Sequence, residues 1–159
     1  MPEAPLHPDV EPLAFLLGTW RGEGKGTYPT AQDFSYAEEI SFTHVGKPVI
    51  SYTQRTWHPA KGFAMHAEVG YWRPLPNRGL EIVLVHPTGI VEIQEGSFDD
   101  GRIDVASTLV AKTSTAKQVD RLERTIQIDG DVLRYEVRMA AVGVPLQPHL
   151  TAELHRVSS

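Results

Sequence analysis

From residue 18 onward the chain alternates with period two. In GTWRGEGKGTYP (18–29), Gly18, Trp20, Gly22, Gly24 and Gly26 share one face, and Thr19, Arg21, Glu23, Lys25 and Thr27 share the other. Successive side chains of a strand point to opposite faces, so this stretch reads as a strand with one face almost empty. FSYAEEISFTHV (34–45) sets Phe34, Tyr36, Ile40 and Phe42 against polar partners. Similar runs follow at 48–58, 65–73, 80–86, 90–98, 102–111, 119–128, 132–140 and 149–157, making about ten strands in all. One segment, PDVEPLAFLL (8–17), predicts a short helix of a turn or two, with Gly18 to stop it.

The breaks carry turn chemistry. They are Gly46-Lys47-Pro48, Lys61-Gly62, Pro76-Asn77-Arg78-Gly79, Thr88-Gly89, Asp99-Asp100-Gly101, Asp129-Gly130-Asp131 and Gly143-Val144-Pro145. Hairpin-length connections suit an up-and-down barrel, whereas a Greek-key sandwich needs a long return connection that the chain lacks. The expected fold is all-β: a ten-stranded antiparallel up-and-down barrel with a short N-terminal helix, in one domain spanning residues 1–159. Side chains nearly fill a barrel of about eight strands, so a ten-stranded one predicts a ligand cavity. An inner face of glycines lets a strand bend at a barrel corner, or lets something broad lie against its backbone.

Composition removes several classes of function. A net charge of −5 gives no reason to expect nucleic acid or an anionic membrane as partner. No apolar run approaches the roughly 18 residues that span a bilayer. The opening MPEAPLHPDVEP is acidic and proline-rich, unlike a signal peptide, so the expected location is the cytoplasm. The absence of cysteine excludes disulfides, thiolate chemistry and Cys-ligated metals. The seven histidines form no HxxxH, HxH or facial-triad spacing, so spacing gives no support to a multi-histidine metal site. No pair of side chains reads as an acid–base dyad.

The stretch Gly18-Thr19-Trp20-Arg21-Gly22-Glu23-Gly24-Lys25-Gly26-Thr27-Tyr28-Pro29-Thr30 resembles the glycine–tryptophan signature of the nitrobindins. These are small haem-binding barrels distantly similar to fatty-acid-binding proteins and lipocalins. The similarity continues through FSYAEEISFTHVGKPVISYTQRTW, MHAEVGYWRP, HPTGIVEIQEG, TAKQVDRLERT and PLQPHL, which covers nearly the whole chain. It implies one haem b per chain, with iron on His149 in Gln147-Pro148-His149-Leu150. A porphyrin supplies four nitrogens and asks the protein for only one or two axial ligands. His155 is the competitor; equal parity puts it on the same face as His149, about 20 Å away, so only one can reach the iron.

The resemblance also places Met65, His66, His86 and Met139 on the other side of the macrocycle, and Thr30 and Lys117 near its propionates. His86 shares parity with Leu80, Ile82 and Leu84, and Met139 with Leu133, Tyr135 and Val137. Met65 and His66 are neighbours, so both meet one ligand only at a rim or an irregularity. His86 stands where the better-known plant members carry an amide, which makes it a candidate to cap the iron. The implied activity is isomerisation of peroxynitrite to nitrate by the ferric form, with nitric oxide as a further ligand. The residues themselves leave a binding module open: a haem-based nitric oxide carrier or sensor, or a lipocalin-like carrier of a small apolar ligand. They equally leave open whether the chain works alone or as a homodimer.

Overall fold

A computed structural model describes residues 2–159. The strands are β1 (Gly18–Tyr28), β2 (Ala31–Thr43), β3 (Ile50–Trp57), β4 (Ala64–Pro74), β5 (Gly79–His86), β6 (Ile90–Asp99), β7 (Arg102–Lys112), β8 (Val119–Asp129), β9 (Val132–Ala141) and β10 (Val144–Ser158). Each pairs antiparallel with its neighbours in sequence, and β1 pairs with β10, so the sheet closes into the expected ten-stranded barrel. The last strand starts five residues earlier than its periodicity indicates. The turn before it is Val142-Gly143, with φ of 46° and 80°, and not Gly143-Val144-Pro145. Two consecutive positive φ values match the right-handed twist of a two-residue hairpin.

The predicted helix is a six-residue 3₁₀ helix, Glu11–Leu16. Pro12 at its start removes a backbone donor, and Gly18, at φ 119°, turns the chain into β1. The helix closes one end of the barrel. Leu13 and Leu16 are buried with Trp20, Phe42, Ile50, Leu133 and Leu154. Trp20 donates from its indole nitrogen to the Leu16 carbonyl at 2.8 Å. Arg156 lies 4.1 Å above the Trp20 ring and donates to the carbonyls of Phe15 and Leu17. Trp20 thus belongs to the closed end, far along β1 from the mouth.

The glycine face has two explanations along its length. A Cβ on Gly22 would overlap the backbone of Glu153 and Leu154, so β10 comes in where a side chain would stand. At Gly24 and Gly26 the space is taken by the rings of Tyr36 and Phe34, their partners across the β1–β2 ladder. The face is filled from the next strand, and closure of the wall needs no ligand against it.

Candidate functional site

The half of the barrel away from the 3₁₀ helix holds a cavity of about 330 Å³. Around its mouth run the turn after β1 and the segments 58–63, 87–89, 113–118 and 142–143. Phe34, Met65, Leu122, Val137, Met139 and Leu150 give it an apolar upper wall. Deeper, its lining turns polar with Gln54, Glu68, Glu92, Arg124 and Tyr135. The ladder between β7 and β8 runs only from Arg102–Gln127 to Ala106–Glu123, so these strands part toward the mouth.

His149 reaches this cavity through a bulge. Pro148 pairs with Arg138 and Leu150 with Val137, which leaves His149 as the extra residue on β10. His149 and Leu150 both line the cavity as a result. Beyond the bulge, Ala152, Leu154 and Arg156 continue the inner row, and His155 points outward to Glu153. Equal parity of the two histidines therefore fails: one inserted residue exchanges the faces. His149 Nδ1–H donates to the Thr27 carbonyl at 3.0 Å. Its ring meets Tyr28 edge-on, with centroids 5.3 Å apart. The Tyr28 hydroxyl accepts from the Ala141 N–H and donates to the Met139 carbonyl, tying β1 to β9 beneath the imidazole. Burial holds the His149 pKa below its ordinary value, against the Thr27 bond, so the ring is kept neutral.

A second bulge lies on β4. Arg55 pairs with Ala67 and Trp57 with Ala64, so two steps on β3 answer three on β4. Thr56 Oγ1 accepts from the His66 N–H at 2.9 Å within this irregularity. That is how Met65 and His66, neighbours in sequence, both line the cavity. His86 ends β5 on the inner row that its parity indicated. Its Nε2 lies 2.5 Å from Glu92 Oε2, and its Nδ1 lies 3.1 Å from His66 Nε2. A carboxylate only accepts, so His86 Nε2–H donates to Glu92, and Nδ1 accepts from His66. Burial lowers the His66 pKa. Met139 lines the cavity wall. Thr30, in the turn after β1, and Lys117, in the 113–118 segment, are exposed and lie outside the cavity lining.

The polar lining is where reading by residue type fell short. Glu38, Glu68 and Glu92 are all buried. Arg124 donates to both oxygens of Glu68, at 3.1 and 3.2 Å, and Tyr52 adds a third bond at 2.9 Å. Burial pushes Glu68 up, but Arg124 and then His86 and His66 outweigh it and hold it at about 2. Glu38 has no such cation in contact. It accepts from Gln54 at 2.6 Å and Tyr135 at 2.8 Å, and burial raises it to about 7. The histidines and the acids also meet where spacing showed nothing: His66, Glu68 and His86 present ligand atoms within 4.8 Å of one another. The His86–Glu92 pair is an imidazole–carboxylate couple of the kind that the sequence did not reveal. The missed signal was parity. Glu38 sits between Tyr36 and Ile40 on the inner row, Glu68 precedes Gly70 and Trp72, and Arg124 lies between Leu122 and Ile126.

These residues fit a haem. The upper wall is apolar, and one imidazole projects from it with a tautomer fixed by a backbone carbonyl, leaving the Nε2 lone pair for a metal. No helix among the described residues is long and apolar enough to cross a membrane.

Known proteins bear on this geometry directly. A family model described as "THAP4-like, heme-binding beta-barrel domain" matches residues 9–156. A Mycobacterium avium protein named peroxynitrite isomerase 2 is 54% identical over 156 residues, covering 95% of this chain and 96% of its own. A Nocardia farcinica protein named peroxynitrite isomerase is 52% identical, covering 98% and 95%. The crystal structure of Rv2717c from M. tuberculosis superposes with a TM-score of 0.90 at 44% identity, covering 96% of this chain and 99% of that one. The phycobiliprotein lyase CPES from Guillardia theta, at 13% identity and a TM-score of 0.61, shares the fold alone. The chain belongs to the THAP4-like heme-binding β-barrel family, the nitrobindins.

Proposed function

We propose that the chain binds haem b in the barrel cavity through His149 and isomerises peroxynitrite to nitrate, with nitric oxide as a second ligand. The observation that carries this reading is the bulged His149, aimed inward with Nδ1–H committed to Thr27. The names of the relatives, at about half identity over nearly the full chain, support the reaction. Haem iron, when bound, supplies the Lewis-acidic, redox-active position at which peroxynitrite rearranges. The remaining work falls to the chain's own residues.

His149 holds the iron, and the Thr27 carbonyl raises its basicity and stops its ring from turning. Leu122, Val137, Met139 and Leu150 take the apolar faces of the macrocycle out of water. Thr30 and Lys117 stand at the mouth, where a hydroxyl and an ammonium can meet propionates. In a ten-strand ring β5 lies five strands from β10, so His86 faces His149 across the barrel. Glu92 and His66 occupy both nitrogens of His86, and those bonds would keep that ring from ligating a bound iron.

Stopped-flow decay of peroxynitrite, with nitrate yield as second readout, tests the proposal on haem-loaded and haem-free protein. Faster decay and a higher nitrate yield are expected only with haem. Equal rates would overturn the catalytic reading and leave a binding module.

A further inference from the structure

Deeper in the same cavity three donor atoms converge, none of which the haem reading uses as a metal ligand. His66 Nε2 and His86 Nδ1 are 3.1 Å apart, and Glu68 Oε1 lies 3.9 Å from the first and 3.8 Å from the second. A point equidistant from all three is about 2.1 Å from each, the bond length of a divalent transition metal to imidazole nitrogen and carboxylate oxygen. Two histidines and one carboxylate, with positions left open, form a recurrent donor set for such ions. We propose that His66, His86 and Glu68 form a binding site for a divalent first-row transition ion, with its open positions toward the barrel cavity.

The surroundings are those of a built site. The second nitrogen of His86 is held by Glu92 Oε2 at 2.5 Å, the carboxylate–histidine arrangement that orients a ligand and raises its basicity. The other oxygen of Glu68 is fixed by Tyr52 and by Arg124 Nη1, so Oε1 faces the imidazoles. Glu68 and Glu92 are buried, and the His86 side chain is only 9% exposed, so the group is not an incidental surface cluster. Arg124 is the opposing charge, 3.1 Å from Glu68 Oε1. Glu68 and Glu92 together outweigh it, leaving one net negative charge before the ion arrives. The ion takes the position of the proton that His66 Nε2 now donates to His86. His66 then carries its single proton on Nδ1, a change of tautomer that releases none. The bulge that Thr56 fills sets His66 on this face; a regular β4 would space its inward residues differently.

The proposal stands apart from haem binding. It is tested on the full chain, stripped with chelator, in haem-free and haem-loaded forms. Co²⁺ serves as probe because its visible bands report coordination by nitrogen and oxygen, and Zn²⁺ competes for the same site in equilibrium dialysis. One Co²⁺ per chain is expected, displaced by Zn²⁺. His66→Gln and His86→Gln are each expected to weaken it about 100-fold, and Glu92→Gln about tenfold. His155→Ala, on the outer face, is expected to keep the parent affinity. Absence of a one-to-one Co²⁺ complex in the parent, or the same affinity in His66→Gln and His86→Gln, overturns the proposal. Haem titration of the same variants is read from the porphyrin absorption. Failure of the metal site is thereby distinguished from failure of the haem reading.

Discussion

The imidazole of His149 is anchored on the carbonyl of Thr27: Nδ1–H donates to it at 3.0 Å, and Nε2 is left as an unprotonated lone pair facing the cavity. His155, six residues on, stands on the outer face with Glu153. His149→Ala is accordingly expected to abolish the ferric haem spectrum, and His155→Ala to leave it intact. Titration of each variant with haem, followed by absorption, checks this. The reverse pattern would mean that the bulge in β10 is not what delivers the ligand.

The barrel itself was legible because its strands keep period two and its turns carry Gly, Asn, Asp and Pro. What the period could not show was where it slips. The bulges at His149 and around Met65-His66 each insert one residue, and nothing in the local composition marks them beyond Pro148. Pro148 has no N–H to give the ladder, which makes a break beside it unsurprising. The polar lining was missed for another reason. Charged side chains are ordinarily solvated, so residue type alone does not point to Glu38, Glu68 and Arg124, which occupy inward parity. The convergence of His66 and His86 depends on cross-strand register, which spacing along the chain does not contain.

The two explanations of the glycine face differ in what a methyl group would meet. At Gly22 the obstacle is the backbone of β10, which cannot move without opening the barrel seam. At Gly26 it is the Phe34 ring, 36% exposed and free to swing outward. Gly22→Ala is expected to cost about 3 kcal/mol, at the upper end of overpacking effects, and Gly26→Ala about 1 kcal/mol. Urea denaturation of both variants measures the difference. Equal costs would show that backbone approach of β10 is not what selects glycine at position 22.

His86 was the sequence candidate to cap a haem iron. Its geometry argues the opposite, since Glu92 and His66 engage both ring nitrogens. The ferric protein is therefore expected to show a five-coordinate spectrum, and His86→Gln to keep the same coordination number. A parent spectrum of six-coordinate type that reverts to five in His86→Gln would show that His86 leaves Glu92 for the iron.

Glu38 links the polar lining to pH. Burial raises its pKa from 4.5 to about 7, because the bonds from Gln54 and Tyr135 do not offset the lost hydration. A carboxyl whose folded pKa lies above its unfolded value holds its proton longer when folded. Its contribution to stability is complete below about pH 4.5, falls as pH rises, and is lost above about pH 7, a change of about 3 kcal/mol. Glu68 acts with the opposite sign, but its folded pKa of about 2 confines that effect to the range below 4.5. The depressed pKa values of His66 and His149 make stability rise with pH near neutrality and oppose the slope of Glu38. Both effects remain in Glu38→Gln, so the difference between parent and variant isolates the carboxyl. Urea unfolding at pH 5 and pH 8 is expected to show Glu38→Gln gaining on the parent by about 3 kcal/mol between the two. A difference that does not change with pH would place the Glu38 carboxyl in water, ionised, and not sealed beneath the cavity.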